Sequence, residues 1–411
     1  MAYGSARPCL GGHHYSRGKK VIIRGAEVFN GERWLGAAEI VVENGIVQGS
    51  CAGTQGDIIR MDGMIVIPGL IDAHIHLFPG FLSRLPRFGV TSVVDMFATP
   101  NLIDSLSAER SEFTADYISA GIGATAPGGH PVQLVGQGLY KDFPVLARTD
   151  NVTDFVAQRK AEGSGFIKVF LEKGELAGKC LPSLDVATVR ALCRAAHDVG
   201  LLVVAHAVTV DAALAAIDGG IDGLAHAVVP DRNPDHLIDR MLAEDVFMVS
   251  TLVALGSTLG YDHTSLFRES LPISRGWRSH LAKPAGRRLE SILWENTRKF
   301  MTSAIARGVR VLPGTDAAFP GVAPGASMHA ELALLQDCGL SPVDAICAAT
   351  AEAAAVFKLD RAGLIEPGYP ATMLFLTSDP RNDVRATQDI GAIMLNGHLK
   401  SFQKSISDGE T

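Results

Sequence analysis

The feature of this sequence that most constrains its fold is a series of eight short apolar segments between residues 65 and 359. They lie at 70–76, 90–96, 115–121, 166–171, 201–206, 222–226, 246–250 and 309–315. Segments of helical spacing separate them, such as 185–199, which follows a cap region at 183–185, and 210–218. Strands that alternate with helices are typical of repeated β-α-β units. The sequence therefore predicts an α/β protein with a parallel sheet.

Both ends of the chain have a different texture, with short strand-like pieces separated by turns. Asn30-Gly31 and Asn44-Gly45 are hairpin signals in the N-terminal part, and Asn396-Gly397 is another near the C-terminus. Segments of the same texture at the two ends are expected to pair. We therefore predict a discontinuous flanking β-domain, a central α/β domain and a mobile tail. The flanking domain is predicted at 20–64 with 363–411, the central domain at 65–362 and the tail at 1–19.

Composition excludes several classes of protein. The 411 residues suit one α/β barrel with a modest appendage. Lys and Arg total 37 against 44 Asp and Glu, and no long basic run occurs, which argues against a nucleic-acid partner. The longest apolar stretches, such as 201–205, are far shorter than the ~20 residues of a membrane helix. The first twenty residues lack the apolar core of a secretory signal. We expect a cytoplasmic homo-oligomer that acts on a small molecule.

Metal-binding residue types recur at the ends of the predicted strands. His74 and His76 lie two residues apart, so in a strand both imidazoles point to the same side. His206 and His226 end two later strands, and Asp316 follows the eighth. One such histidine alone is as well explained by a structural hydrogen bond. Five residues of metal-binding type at the ends of predicted strands, where barrel enzymes place their catalytic residues, favour a metal site.

Lys168 lies inside the apolar segment 165–171. Burial and nearby metal ions would both disfavour its ammonium form, and a neutral amine can react with carbon dioxide to form a carbamate. The carbamate could bridge two ions. With two divalent ions, the carbamate, the Asp316 carboxylate and a hydroxide, the site would carry a charge of roughly plus one. The alternative is a strand-end lysine that reaches solvent or pairs with a carboxylate such as Glu172.

Taken together, these residues resemble the amidohydrolase superfamily of the binuclear, carbamylated-lysine type. The run Pro-Gly-Leu-Ile-Asp-Ala-His-Ile-His, the lysine of the fourth strand, the two later histidines and Thr315-Asp316 carry the resemblance. It implies a (β/α)8 TIM barrel with a flanking β-sandwich. It also implies the ligand set. One buried ion would bind His74, His76 and Asp316, a more exposed ion would bind His206 and His226, and Lys168 would bridge them.

The resemblance also implies a reaction. Two divalent ions, zinc being the expected metal, would polarise a carbonyl and activate the hydroxide between them, and Asp316 would act as general base and then acid. The expected substrate is a peptide-like or N-acyl amino acid amide, with a lactone or cyclic amide as the alternative. Ala371-Thr372-Met373 departs from the usual Ala-Asp-hydrophobic pattern, but this lies in the flanking domain.

Two further segments bear on the substrate. Gly128-Gly129-His130-Pro131 follows the third strand and resembles a segment of prolidase-type dipeptidases and ochratoxin-type amide hydrolases. This predicts that His130 polarises the substrate carbonyl or contacts a carboxylate; a loop histidine bound to water is the alternative. The stretch 251–301 is long enough for a lid over the site. Its candidate substrate contacts are Tyr261, His263, Arg275, Arg278, His280, Arg287 and Arg288. The alternative is that these residues lie on a solvent-exposed helix face and do not contact the substrate.

The same barrel could support other reactions. A mononuclear deaminase usually needs a glutamate after the strand-five histidine, but Ala207, Val208 and Thr209 follow His206. A non-catalytic scaffold would have lost ligands, and none is missing from this sequence. A decarboxylase stays open because ligands alone do not determine which bond is broken.

Overall fold

A computed structural model gives the fold of this protein. It describes residues 20–49, 55–132, 135, 143–146, 151–174, 178, 180–286, 290–317 and 319–402. The predicted tail at 1–19 and the last part of the predicted flanking domain, 403–411, lie outside these residues. The described chain has a mixed α/β fold.

The strands of the described chain are short, with two to six residues each. In chain order they are β1 Lys20–Arg24, β2 Glu27–Phe29, β3 Trp34–Ala37, β4 Ile40–Glu43, β5 Ile46–Gln48, β6 Asp57–Arg60, β7 Ile65–Pro68, β8 Leu70–Ile75, β9 Val90–Asp95, β10 Asp116–Ser119, β11 Ile167–Phe170, β12 Val203–His206, β13 Gly223–Leu224, β14 Phe247–Val249, β15 Val311–Leu312, β16 Met373–Leu376, β17 Ile390–Leu395 and β18 His398–Ser401. Each of the eight predicted apolar segments contains one of the strands β8 to β15.

Helices occupy most of the chain between the central strands. The α-helices are α1 Pro100–Ala108, α2 Val152–Ala161, α3 Val186–Asp198, α4 Val210–Asp218, α5 Asp235–Ala243, α6 Leu252–Thr258, α7 Arg275–Leu281, α8 Ser291–Ala306, α9 Ala326–Asp337, α10 Pro342–Cys347 and α11 Ala353–Val356. Short 3-10 helices lie at Leu85–Phe88, Thr264–Leu266 and Val384–Gln388, and a π-helical turn lies at Ala348–Glu352. No helix in the described part of the chain is both long and apolar enough to span a membrane.

The predicted helix starts are confirmed by their caps. The carboxylate of Asp185 accepts the N–H of Thr188 at 2.7 Å and begins α3. The hydroxyl of Thr209 accepts the N–H of Ala212 and begins α4. These side chains bind backbone N–H groups that have no partner within the helix. Both helices then bury their apolar faces.

Strands from both ends of the chain form the flanking sheets. A four-stranded sheet has the order β5-β4-β1-β6, and a six-stranded sheet has the order β18-β17-β16-β7-β2-β3. In the six-stranded sheet β16 pairs with β7 in antiparallel register, with Leu374 opposite Ile67. The predicted pairing of distant segments is thus confirmed. The two sheets share an apolar core that includes Val21, Ile23 and Phe375.

Two of the three predicted hairpin turns have positive φ at both central residues. Asn44 and Gly45 have φ of 55° and 79° between β4 and β5, and Asn396 and Gly397 have φ of 52° and 86° between β17 and β18. This is the geometry of a type I′ turn, which favours Asn-Gly because both residues tolerate the left-handed region. The predicted hairpins at these positions are confirmed.

The eight central strands are parallel and lie in two groups. Their orders are β10-β9-β8 and β11-β12-β13-β14-β15. Parallel bridges join the groups at both ends, between Ile75 and Ala317 and between Ala124 and Val169. Hydrogen bonds reinforce the first junction, where the N–H of Ala73 donates to Pro313 at 3.0 Å. The carboxyl ends of these strands therefore lie at a common edge.

Candidate metal centre

Five of the six predicted metal-binding residues lie at or near the carboxyl end of a central strand or just beyond it, and the sixth, Lys168, is the second residue of β11. The six are His74 in β8 and His76 immediately after it, Lys168 in β11, His206 at the end of β12, His226 two residues after β13, and Asp316 after β15. Because the strands are parallel, their carboxyl ends face the same way. The fold therefore directs the histidines and Asp316 to one edge, while Lys168 lies inside the neighbouring strand β11.

Three of these residues form a compact cluster. His74 Nε2 lies 3.3 Å from Asp316 Oδ1, and His76 Nε2 lies 3.2 Å from the same oxygen. One ligand atom from each residue lies within 4.8 Å of the others. Two atoms bound to one tetrahedral zinc ion at about 2.1 Å would lie about 3.4 Å apart. The spacing of this cluster thus suits a single ion.

In both His74 and His226 a protein oxygen contacts the Nδ1 atom of the ring. Nδ1 of His74 donates to the carbonyl of Ala225 at 2.9 Å, and Nδ1 of His226 lies 2.8 Å from the hydroxyl of Thr251. Nε2 of both rings is buried and makes no hydrogen bond. A buried polar atom normally has a partner, so these two imidazole nitrogens are suited to bind a metal ion.

The imidazole rings form a continuous series. The ring centroid of His226 lies 4.7 Å from that of His74 and 4.5 Å from that of His206. His130, from the predicted substrate segment, stacks on His206 at 4.8 Å with an interplanar angle of 23°. The structure thus brings His130 beside the predicted metal ligands. Burial, followed by repulsion from His206, lowers the pKa of His130 to about 3.

Lys168 is fully buried below this series. Its side chain is 1% exposed, and Nζ has no hydrogen-bond partner. Burial lowers the pKa of Lys168 to about 7, although the negative charges of Asp316 and Asp95 oppose the shift. A large neutral fraction near pH 7 makes this amine nucleophilic. The pairing with Glu172 that the sequence allowed is not formed; Glu172 lies against His206 instead.

Asp316 occupies a restrained backbone position. Its φ is 56°, in the left-handed region that non-glycine residues rarely adopt, and its N–H donates to the carbonyl of His74 at 2.8 Å. Burial acts to raise the pKa of Asp316, but His74 and His76 outweigh it and hold this pKa well below its usual value. Such strain, maintained by neighbouring hydrogen bonds, is common at functional sites.

Buried carboxylates behind the cluster hold the strand ends in register. Asp72 accepts the N–H of His74 at 3.2 Å, the N–H of Thr315 at 2.9 Å and the hydroxyl of Thr315 at 2.6 Å. Asp95 accepts the N–H of Leu77 at 2.9 Å. Burial raises the pKa of Asp72 to about 7. Sequence reasoning gave these two residues no role, although Asp72 lies within the recognised run.

Glu331 on α9 supports His226 through a different path. Its carboxylate accepts the N–H groups of Leu252 and Val253, both at 2.8 Å, at the start of α6. It thereby holds the preceding residue, Thr251, whose φ is 43° and whose hydroxyl contacts His226. Burial raises the pKa of Glu331 to about 7. No sequence motif signalled this contact, which spans 78 residues or more.

Two polar side chains of the predicted lid are hydrogen-bonded within the protein. The guanidinium of Arg278 donates to the carbonyl of Leu271 at 3.2 Å, and His280 Nε2 lies 3.1 Å from the carbonyl of Phe319. Tyr261 stacks on Trp294 at 4.9 Å. Arg287 and Arg288 lie outside the described residues. Contact between the lid and a substrate stays a prediction.

The donor set fits divalent metal ions. Nε2 of His74, Nζ of Lys168 and Nε2 of His226 are all buried without hydrogen bonds, and Nε2 of both His74 and His76 faces the carboxylate of Asp316. Imidazole and carboxylate are the ligand types of zinc-class ions. Without ions, this concentration of unsatisfied nitrogen would be costly to bury.

Comparison with known proteins places the chain among enzymes of similar fold. A model of the amidohydrolase family matches residues 65–400. A Xaa-Pro dipeptidase crystallised with methionine superposes with a TM-score of 0.73 at 21% identity, covering 93% of this chain and all of that one. The ochratoxinase of A. niger superposes with a TM-score of 0.73 at 18% sequence identity, covering 95% of this chain and 97% of that one. A putative prolidase from Bifidobacterium longum superposes with a TM-score of 0.70 at 23% sequence identity, covering 96% of this chain and 97% of that one.

Proposed function

Because this chain belongs to the amidohydrolase family, we propose that it is a metal-dependent hydrolase that cleaves an amide bond in a peptide-like or N-acyl amino acid substrate. The observation that carries the proposal is the gathering of four histidines and one aspartate at one edge of the parallel strands, with a buried lysine inside the strand β11. The likeness to a Xaa-Pro dipeptidase favours dipeptides among the candidate substrates.

The scaffold in this proposal is a closed (β/α)8 barrel with a flanking β-sandwich. The bridges Ile75–Ala317 and Ala124–Val169 support closure, because they join the outer strands of the two parallel groups. The shared core of the two flanking sheets supports the sandwich. We keep the division into a flanking domain, 20–64 with 363–411, and a central domain, 65–362, as part of the proposal, except that β7 at the start of the second range belongs to the flanking six-stranded sheet.

Two zinc-class ions would be held by the six side chains. His74, His76 and Asp316 would bind one ion, and His206 and His226 the other. Lys168, as a carbamate, would contribute one oxygen to each. Its lowered pKa and the absence of any hydrogen-bond partner at Nζ support the carbamate, because the neutral amine is the form that reacts with carbon dioxide.

When bound, the ions would polarise the scissile carbonyl and acidify the attacking water. The side chains complete the reaction. The carboxylate of Asp316 accepts the proton of the water and transfers it to the departing nitrogen. The neutral imidazole of His130 offers an N–H to the substrate carbonyl oxygen or to a substrate carboxylate. Asp72, through Thr315, keeps the preceding backbone in place so that Asp316 faces the substrate.

A hydrolysis screen tests the activity. The zinc-loaded protein would be assayed against Xaa-Pro and other dipeptides, N-acyl amino acids, cyclic amides and lactones. We expect turnover of at least one amide class, its loss after chelation and its return with zinc. Turnover of lactones with no turnover of any amide would contradict the proposed bond specificity, and turnover that survives complete chelation would contradict metal dependence.

A variant of Lys168 tests the carbamate separately. Lys168→Ala is expected to lose metal and activity, with partial rescue by short carboxylic acids that replace the missing oxygens. Lys173→Ala, the exposed lysine five residues further on, is the matched control and should keep both. Full activity of Lys168→Ala without added acid would exclude a bridging carbamate.

A further inference from the structure

Glu172 is a mostly buried carboxylate that the proposed reaction leaves unused. Its side chain is 11% exposed, and Oε2 lies 3.4 Å from Nε2 of His206. It lies beside His206, one of the two residues that would hold the second ion, yet it belongs neither to the six predicted ligands nor to the cluster of His74, His76 and Asp316. Its position calls for a specific role.

The pairing of two adjacent strands places Glu172 beside His206. Phe170 is the register partner of His206 in the parallel pair β11 and β12, and the N–H of Leu171 donates to the carbonyl of His206 at 2.9 Å. Side chains alternate along an extended chain, so Glu172 lies on the same side as Phe170 and Lys168. The side chain of Glu172 therefore lies two residues beyond Phe170, the register partner of His206, toward the carboxyl end of the strands.

The carboxylate of Glu172 is held in this direction. Its Oε1 accepts the N–H of Gly174, which leaves Oε2 directed at His206. The ion pairs among the described residues give Glu172 no Lys or Arg partner. The titratable groups that face it are the imidazoles of His206 and His130. A carboxylate oriented by the backbone and directed at an imidazole is suited to accept its N–H.

His206 then completes a pattern already seen in two other ligands. A protein oxygen holds Nδ1 of His74 and Nδ1 of His226, and the opposite nitrogen of each ring is unsatisfied. In His206 the nitrogen beside a protein oxygen is Nε2. A neutral imidazole carries one proton, so an N–H at Nε2 leaves Nδ1 with its lone pair.

We propose that Glu172 is a positioning residue that accepts the Nε2–H of His206 and thereby presents Nδ1 of this histidine, in contrast to Nε2 of His74 and His226, to the second ion. The 3.4 Å separation is slightly longer than the ~3.2 Å upper limit of a normal N–H···O hydrogen bond. The proposed hydrogen bond requires a small rotation of either side chain. The inference rests on the proposed metal centre.

The expected consequence is selective. Acceptors that orient a metal-binding histidine typically contribute 10–100-fold to metal affinity. Removing the acceptor at Glu172 should therefore weaken the ion at His206 and His226 by about that factor. The ion at His74, His76 and Asp316 has its own supports in Ala225 and Asp72, so its affinity should stay unchanged.

The test measures binding of cobalt(II) to the metal-free full-length chain, by competition with a chromophoric chelator and by visible absorption. Glu172→Ala removes the acceptor, and Glu172→Gln replaces it with an amide oxygen that can still accept Nε2–H. Glu295→Ala removes an exposed glutamate of α8 and serves as the matched control. Imidazole nitrogen NMR of the zinc-loaded wild-type protein reports which nitrogen of His206 binds the ion.

The proposal predicts two sites in wild type and in Glu295→Ala, a second site 10–100-fold weaker in Glu172→Ala, and most of that affinity retained in Glu172→Gln. It also predicts Nδ1 coordination of His206. Unchanged affinity in Glu172→Ala would overturn it. Equal losses in Glu172→Gln and Glu172→Ala would assign the carboxylate as a direct ligand and overturn it as well. A wild-type protein that binds no metal would instead refute the proposed function.

Discussion

The flanking sheets and the edge that carries the candidate metal centre are built in opposite ways. The two sheets enclose side chains such as Ile23, Val42 and Phe375, all 1% exposed or less, and Asn30 is the only buried polar residue described between 20 and 64. The metal-centre edge buries Asp72, Asp95, Lys168 and Glu331. One region is almost purely apolar, and the other concentrates charge.

The difference shows which region stabilises the protein and which one bears the cost of function. Burying apolar surface stabilises a fold by roughly 25 cal/mol per Å². Burying a charge or an unsatisfied nitrogen costs free energy, and the left-handed backbone of Thr251 and Asp316 adds strain. We therefore expect substitutions in the sheets to lower stability with little effect on catalysis, and substitutions at the centre to lower catalysis without lowering stability.

The largest expected effect is on catalysis at the centre. Asp316→Asn should lower kcat/KM by about 10³–10⁴-fold at saturating zinc, because the amide cannot accept the proton of the water. Its unfolding free energy should stay close to wild type. Asp104→Asn, on the exposed face of α1, is the matched control. A loss below tenfold would remove Asp316 from the proton transfer.

The next effect belongs to the sheets. Phe375→Ala should lower the unfolding free energy by roughly 3–5 kcal/mol, because it leaves a cavity in the shared core. Its kcat/KM, measured well below the unfolding transition, should match wild type. Ile58→Ala, at a side chain that is half exposed in β6, should change stability far less. Strong inactivation of folded Phe375→Ala would break the contrast between the two regions.

The pH dependence of stability that arises from Lys168 is a further test of the difference between the two regions. Burial lowers its pKa from 10.5 to about 7, so between these pH values the unfolded chain binds a proton that the folded chain lacks. The stability of the metal-free protein should therefore rise with pH across this window. Lys168→Met lacks this titration and should be more stable than wild type by roughly 2–4 kcal/mol near pH 7. Denaturation in buffer free of carbon dioxide should show the difference shrinking toward pH 10; a constant difference would contradict the shifted pKa.

The smallest effect tests a turn of the flanking sheets. Asn44→Ala forces a β-carbon into φ of 55° without a side-chain amide, and should cost about 1 kcal/mol. Asn44→Gly accepts this φ and should be close to neutral. Chemical denaturation compares the two variants. Equal stability of both would show that the hairpin does not depend on its left-handed residue.

The sequence predicted the central strands well because they depend on local pattern. An apolar run followed by histidine marks the end of a buried strand, and parallel strands bring their ends together. Asn44-Gly45 predicted its hairpin for an equally local reason. Strands without such a pattern were missed: β3 is mostly exposed, and β6 buries one of its four residues.

The supports of the centre could not be predicted because they depend on contacts between distant segments. Glu331 is separated from Val253 by 78 residues, and its helix α9 is buried on all sides without a distinct polar face. Glu172 is near Lys168 in sequence, which suggested a pair, but the register of β11 and β12 places it against His206. Such contacts follow from register and helix packing, which local pattern does not specify.

The most direct test of the metal centre is the metal content of the full chain, measured by elemental analysis after saturation and gel filtration, for wild type and Lys168→Ala in parallel. Six converging side chains, with a carbamate shared between two ions, predict about two divalent ions per wild-type chain and fewer in the variant. A wild-type content near one, unchanged in Lys168→Ala, would contradict the bridging role of Lys168 and the two-ion centre with it.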